Sequence, residues 1–386
     1  MKSNKIRLGE QCVVTSSKRF HLSERITQGV PFYCSKEIIK KFNGEDVTEC
    51  DYISEDLYKK VSNEFGVPKE NDLLITTRGT IGIPYLYKRT DRFYFADGNL
   101  TWIKDFDSNL YSKFLYYWFQ SYEGRKKFEA LAKGTAQKAV PISGIKTLEI
   151  ELPSLKDQKR IVDILSAYDD LIENNQKQIK LLEEAAQRLY KEWFVDLRFP
   201  GHENTKIVDG VPEGWIKEEI GKIIKKVHRT KQIVASEYRD EGSIPIVDQS
   251  RAFVAGYTND LEARVDFGIP IIVFGDHTRI VKLIQFPFAK GADGTQLIIS
   301  DCLEMPQRLL YCSIMNVDLS NYHYARHFKY LKEEKIMIPT VKVANEFENN
   351  VTGIFSKIQN CRDEIIRCQK TRNLLLPKLM SGEVEV

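Results

Sequence analysis

The stretch Ile150-Glu151-Leu152-Pro153-Ser154-Leu155 returns as Ile336-Met337-Ile338-Pro339-Thr340-Val341, with Pro339 standing 186 positions after Pro153 (339 − 153). Each proline opens a long segment with no further proline until its far end. The apolar positions of the two segments match at the same offset. In the first they are Ile161, Leu165, Tyr168, Ile172, Ile179, Leu182, Leu189 and Trp193. In the second they are Phe347, Val351, Ile354, Ile358, Ile365, Cys368, Leu375 and Leu379. Alternating steps of four and three make a heptad seam. Two long helices that fold against each other in an antiparallel coiled coil follow from it, each about 60 Å for about 40 residues. Two seam positions are polar. Asn175 is of the kind that fixes register, and Arg372, near a helix end, reads as an exposed position where the helices diverge.

The expected class is α+β, as a pseudo-two-fold repeat of two similar globules separated by the helices. The segments are 1–152, a first globule; 153–200, a central helix; 201–339, a linker and second globule; and 340–386, a C-terminal helix. Ser154 is a natural N-cap, with Asp157 in the first turn to suit the helix dipole. The first helix should run to about Phe194, and the second from Val341 to about Leu376, with Pro377 near its end. The globules echo each other. Leu8-Gly9 matches Ile220-Gly221, Gly29-Val30-Pro31-Phe32 matches Gly242-Ser243-Ile244-Pro245, and Ala96-Asp97-Gly98 matches Ala292-Asp293-Gly294. An aromatic helical patch is expected at about Tyr111 to Leu131. Two similar globules at a set separation suit measuring the distance between two sites, and DNA is the obvious measured object.

At 386 residues the chain has room for two or three domains. Its 42% hydrophobic and 29% charged content is that of an ordinary globular protein. No apolar run approaches a membrane span, and no leader pattern opens the chain, so a cytoplasmic location is expected. Seven scattered cysteines lack any Cys-x-x-Cys pair, which points away from a zinc site or a disulfide framework. A net charge of +3 is low for a chain binding DNA alone. Either the basic groups are concentrated on one face or a partner supplies phosphate contacts.

No catalytic signature is found. There is no Gly-x-x-x-x-Gly-Lys-Ser/Thr phosphate loop, no Gly-x-Gly-x-x-Gly fingerprint and no Asn/Asp-Pro-Pro-Tyr/Phe tetrapeptide. Glu333-Glu334-Lys335 has the Glu-x-Lys form of some nucleases but lacks an upstream Pro-Asp partner, and a solvated turn explains it. His323 and His327 are four apart in Tyr322-His323-Tyr324-Ala325-Arg326-His327, without a third metal ligand. An aromatic and basic cluster facing nucleic acid, with Tyr324 and Arg326, competes there with ordinary packing.

Two polar loops follow buried-strand runs. Thr76-Thr77-Arg78-Gly79-Thr80 follows Leu73-Leu74-Ile75, and Gly275-Asp276-His277-Thr278-Arg279 follows Ile269-Pro270-Ile271-Ile272-Val273-Phe274. Arginine reads guanine bidentately, and Thr or His reaches base edges or phosphates. The candidate DNA contacts are therefore Thr76, Thr77, Arg78 and Thr80 in the first globule, and His277, Thr278 and Arg279 in the second. Lys225, Lys226, Arg229 and Lys231, with Lys222 and His228, form a candidate phosphate-contacting stripe. Polar turns and a solvated helix face are the alternatives. Tyr190, Trp193 and Phe194 form either a partner contact or internal packing.

These residues resemble the DNA-specificity subunits of type I restriction–modification systems. Leu152-Pro153-Ser154-Leu155-Lys156-Asp157-Gln158-Lys159-Arg160-Ile161 is similar to that family's proline-then-helix junction. Leu189-Tyr190-Lys191-Glu192-Trp193-Phe194-Val195-Asp196 is similar to the end of its central helix, and Val211-Pro212-Glu213-Gly214-Trp215 to the entry of its second recognition domain. Asn71-Asp72-Leu73-Leu74 through Gly79-Thr80-Ile81-Gly82, and Phe274 through Arg279 with Gly291-Ala292-Asp293-Gly294-Thr295, resemble its recognition signatures. Lys342-Val343-Ala344-Asn345 departs from the usual Glu-Gln-like cap of the second helix. The resemblance implies a non-catalytic subunit whose two target-recognition domains read the halves of a bipartite double-stranded DNA target. It implies helices that set the spacer, two methyltransferase subunits that bind S-adenosylmethionine, and two motor–nuclease restriction subunits. A coiled-coil scaffold with two protein-binding heads is the alternative, and a self-sufficient nuclease a third.

Overall fold

In the computed structural model the described residues are 3–134, 138–227, 230–291, 293–322 and 326–386. The chain divides into two compact units, Met1–Asn174 with Glu364–Val386, and Asn175–Asp363. Each unit holds one globule and the adjoining parts of two long helices.

In the first unit the order is β1 (Ser3–Arg7), α1 (Leu8–Gln11), β2 (Val13–Thr15), β3 (Val30–Tyr33), α2 (Ser35–Phe42), β4 (Asp51–Ile53), α3 (Glu55–Glu64), β5 (Leu73–Thr76), β6 (Pro84–Leu86), β7 (Tyr94–Phe95) and β8 (Leu100–Lys104). Then come α4 (Ser112–Gln120), α5 (Tyr122–Glu129), α6 (Ile142–Lys146), β9 (Glu149–Pro153) and the long α7 (Leu155–Tyr190). An antiparallel sheet runs β2-β8-β5-β6, a second runs β4-β3-β7, and β1 pairs with β9. Leu73, Leu74 and Ile75 have no exposed surface, as befits an interior strand covered on both faces. The aromatic patch is two helices rather than one. Ser121 stops the first, and its Oγ accepts from Gly124 N at 3.1 Å to start the second. A Cβ at Gly124 would stand 1.9 Å from Trp118 O, so only glycine allows that turn.

Ser154 caps α7, its Oγ accepting from Asp157 N at 3.2 Å. Ile161 and Leu165 are fully buried in one cluster with Leu376 and Leu379; Leu375 packs against that cluster. Ile172 and Cys368 are buried too, while Tyr168 and Ile365 are half-buried. Arg372 is not exposed where helices diverge. Its guanidinium pairs with Asp169, which also accepts from the Tyr117 hydroxyl at 2.6 Å. The expected end at Leu376 also shifts, because α10 (Val341–Ser381) continues through Pro377. Proline inside a helix costs about 3 kcal/mol. Burial of Leu376 and Leu379 offsets this, and Gly382 at φ +75° then ends the helix.

The second unit repeats the plan. It contains β10 (Ile207–Val208), β11 (Val211–Pro212), β12 (Ile216–Glu219), β13 (Ile244–Val247), β14 (Gly256–Thr258), β15 (Arg264–Val265), β16 (Ile271–Gly275), β17 (Val281–Ile284), β18 (Phe288–Lys290) and β19 (Thr295–Ile298). Then come α8 (Gln307–Met315), α9 (His327–Glu333) and β20 (Lys335–Ile338), which leads into α10. Sheets run β17-β16-β19 and β14-β13-β18-β15, β12 pairs with β20, and β10 with β11. Leu8 N donates to Leu148 O, and Ile220 N to Glu334 O, each at 2.9 Å, so those two positions play one role. The Gly29–Gly242 match is out by one residue. Pro31 pairs with Tyr52 and Pro245 with Tyr257, which aligns the prolines instead. A one-residue slip would turn every side chain to the other face. Of the Ala292 match, residue 292 lies outside the described residues.

Phe347, Val351 and Ile358 are buried here with Trp193, and Ile179, Leu182, Leu189 and Ile354 pack against them. Asn175 is buried on its seam position. Tyr190, Trp193 and Phe194 are all buried and contact the Phe347 ring at 5.1–6.3 Å, so packing is their role. Phe194 and Trp193 lie in a wider helical turn, Lys191–Val195, that turns them inward.

Ile358→Asp should therefore lower unfolding free energy by about 3–5 kcal/mol, since the carboxylate would be buried unpaired. Ile172→Asp should act in the same direction, while Lys357→Asp on the exposed face should not. Thermal melts of the three variants check this, and an Ile358→Asp melt matching the parent would exclude the seam as a packing surface.

Candidate nucleic-acid interface

In the first unit, the C-terminal ends of β2 and β5 and the N-terminal end of β8 meet at one sheet edge, because β8 runs antiparallel to both. Thr76 and Thr77 are not contact residues. Both are buried. Thr76 Oγ1 accepts from Ile83 N at 2.9 Å, and Thr77 bridges Asn99 O and Val140 N through its backbone. They close the turn that presents Arg78, Gly79 and Thr80, all exposed. The Arg78 guanidinium has no hydrogen bond among the described residues, while its carbonyl accepts from Ser35 Oγ. The sequence reading missed Ser16-Ser17-Lys18-Arg19, which continues β2 at the same edge. Ser16 Oγ donates to Asp97 at 2.5 Å. Lys18 lies over the Phe65 ring at 4.8 Å and Lys104 over Trp102 at 4.2 Å, lining a groove of about 410 Å³. The overlooked signal was two hydroxyls and two cations at the end of a strand.

In the second unit, the two separate candidates, the 275–279 loop and the 323–327 segment, are joined. Asp276 is buried, and its Oδ1 accepts from Phe328 N at 2.8 Å, capping α9. Its carbonyl accepts from His327 N, and its N–H donates to Gly294 O. Arg279, at φ +61°, donates from Nε to His327 Nε2 at 3.2 Å and from Nη2 to Tyr322 O at 3.3 Å. Its guanidinium is thus braced, and its outer face is exposed. Thr278 Oγ1 donates to Gln249 O at 2.6 Å, and His277 N to Gln249 Oε1 at 3.1 Å. Gln249, also overlooked, reaches Asp293 O with Nε2 at 2.8 Å and so ties three loops together.

His327 is a buried brace, not a surface contact. Burial pushes its pKa down, and Arg279 pushes the same way. Arg326 is exposed. His323 and Tyr324 lie outside the described residues, as do His228 and Arg229. Among the described residues no cluster of three metal-binding side chains occurs, and no helix is long and apolar enough to cross a membrane.

The basic stripe is only partly available. Lys231 is held between Asp260 at 2.7 Å and Glu262 at 3.0 Å, so its charge is already answered and it is dropped as a phosphate contact. Lys222 pairs with Glu218 at 2.9 Å. Lys225 has a looser pair with Asp301 at 3.7 Å, and Lys226 is exposed with no ion pair among the described residues. Lys225 N donates to Ile299 O, which puts this stretch where β2 lies in the first unit.

Exposed arginines on matching turns suit a polyanion whose edges carry hydrogen-bond acceptors. Residues 3–184 match the type I restriction modification DNA specificity domain. The chain is thus similar, over nearly half its length, to type I restriction specificity domains. The chain is 29% identical over 303 residues to the type I restriction enzyme MjaIX specificity subunit of Methanocaldococcus jannaschii, covering 71% of this chain and 69% of that one. It is 31% identical over 97 residues to the EcoR124I/EcoR124II specificity subunit of Escherichia coli, covering 25% of this chain and 24% of that one. The crystal structure of a type I restriction–modification S subunit from M. genitalium shares the fold, with a TM-score of 0.59 and 17% identity over 98% of this chain and 96% of that one. The two-domain, long-helix architecture of a specificity subunit is thus the fold of this chain.

The His327 brace has a pH signature. Its folded pKa lies below the ordinary value of about 6.5, so the folded state binds fewer protons in that range. Its stabilising contribution is present above about pH 6.5 and is lost on acidification below it. The unfolding free energy of the parent minus that of His327→Gln should shrink from pH 7 to pH 5 in denaturant titrations. A constant difference would contradict a neutral, buried His327.

Proposed function

We propose that this chain is a specificity subunit that reads a bipartite duplex DNA target, one half with each unit, and recruits two methyltransferase subunits and two restriction subunits. S-adenosylmethionine is bound by the methyltransferase subunits. The observation that carries this reading is the recurrence, at the same sheet edge of both units, of a turn with an exposed arginine: Arg78 after β5 and Arg279 after β16. Bidentate arginine contacts to guanine are worth about 1–3 kcal/mol each. Lys226, and Lys225 behind its loose pair, supply phosphate contacts that position without specifying. The modest net charge of +3 fits partners that add further DNA contacts. Two helix–globule junctions, at Pro153 and Pro339, suit two methyltransferase copies. A gel shift on mixed-sequence DNA, with and without a methyltransferase subunit, separates this from the protein-binding scaffold. Absence of any shift in both arms would favour the scaffold.

Arg279→Ala should relax preference at one position of the half-site read by the second unit. Arg78→Ala should do so in the other half-site. Lys226→Ala should weaken all sequences alike and reduce the salt dependence of binding by about one counterion. Selection on randomised duplexes checks this; a uniform loss from Arg279→Ala would remove that side chain from base readout.

The long helices set the half-site spacer in this proposal. Gln178 faces Cys361 and Glu183 pairs with Arg362 at 2.8 Å, which fixes matched insertion points. Adding seven residues after Lys180 and seven after Asn360 keeps the seam and adds about 10 Å. The preferred spacer should lengthen by about three base pairs at ~3.4 Å each. A folded, DNA-binding insert with the parental spacer would sink the ruler.

A further inference from the structure

Lys282 is a lysine in an apolar strand, Val281-Lys282-Leu283-Ile284, and its side chain is buried, with 5% of the residue exposed. It forms no salt bridge among the described residues. Nζ donates to Asp248 O at 2.8 Å and to Ala252 O. Those carbonyls stand at the two ends of the turn that follows β13. A buried ammonium is costly, and it persists where its donors are satisfied by fixed acceptors. Burial pushes its pKa down to about 8, with nearby Asp248 opposing.

The same turn is held from other sides. Asp248 Oδ1 accepts from Ser250 N at 2.9 Å and Ser250 Oγ at 2.6 Å. Gln249 is tied to the 277–278 and 293 loops as described above. Phe253, at the turn's end, carries the Arg362 guanidinium on its ring at 3.7 Å. Everything is anchored except Arg251, which is exposed and has no hydrogen bond or ion pair among the described residues. The turn abuts the loop that bears Arg279, through the Thr278–Gln249 bond.

We infer that Lys282 is a positioning residue that holds the Asp248–Phe253 turn as a second readout element of this unit, with Arg251 as its base-contacting side chain. This rests on the proposed DNA reading. It explains why a strand interior retains a cation whose bonds, among the described residues, are to the carbonyls of one turn. It also adds a specificity-determining residue that no pattern in the sequence marks.

The test uses the full chain on duplexes whose second half-site is randomised and whose first is randomised in a parallel library. Both Arg251→Ala and Lys282→Met should lose about tenfold preference at the same base position of one half-site. The other half-site should be read as by the parent, which also reports that each variant is folded. In the double variant Arg251→Ala should cost nothing further, because the turn is already released. Lys282→Arg, which keeps donors for both carbonyls, should retain the preference. The inference is overturned if Arg251→Ala costs the same in the Lys282→Met background as alone, or if it weakens all sequences alike. A parent without preference in either library would instead overturn the DNA reading itself. Arg251 is exposed, so its variant carries the test even if Lys282→Met does not fold.

Discussion

The antiparallel pairing of β1 with β9, and of β12 with β20, is the constraint on which the rest depends. Ser3↔Pro153 through Arg7↔Glu149 closes the first globule, and Ile216↔Ile338 through Glu219↔Lys335 closes the second. In each case a proline follows or ends the closing strand, and a helix starts within two residues. Proline has no N–H to extend the ladder and disfavours a helical residue before it, so the strand must stop there. The long helix is thus bonded at its root to a sheet, with no slack linker between. A lever without play is what a distance-setting helix requires.

Once both globules are rooted in this way, equivalent positions can diverge chemically without changing the backbone plan. Asp169 in α7 corresponds, at the 186-residue offset, to Phe355 in α10. Asp169 accepts from Tyr117 and pairs with Arg372, whereas Phe355 meets the Tyr311 ring edge-on at 5.6 Å. Likewise buried Gln158 bonds to the carbonyls of Asn109 and Pro153 and to Tyr111 N, while its counterpart is Ala344, also fully buried. Gln307 takes up comparable work in the second unit by bonding Ser300 N and Ile298 O. Where one unit satisfies its junction with polar groups, the other uses packing.

Much of this was legible because it repeats. The heptad seam, the Ser154 cap and the Leu8/Ile220 equivalence are local patterns with strong physical signals. Arg372 was misread because its partner, Asp169, lies 203 residues away and only folding brings them together. The same limit hid the sites. Thr76 and Thr77 look like contact residues in sequence, but a hydroxyl at a strand end serves the turn as readily as a ligand. Lys231 looks like a phosphate contact until Asp260 and Glu262 close on it. Gln249 and Lys282 carry no motif, since their roles are bonds between segments 28–34 residues apart.

The two turns proposed to read DNA differ in how much of their order exists before any DNA arrives. Arg279 is held by His327 and a carbonyl, and the loops around it are cross-tied by Gln249 and Asp276. Arg78 stands on a turn just before two positive-φ glycines, Gly79 and Gly82, with its guanidinium unbraced among the described residues. Fixing a long side chain costs about 1–2 kcal/mol of rotamer entropy. On the proposed DNA reading, one half-site is therefore met by a surface already set, and the other by one that stiffens on contact. The two halves of a single target would carry different thermodynamic signatures, with the larger entropic penalty on the first unit's side.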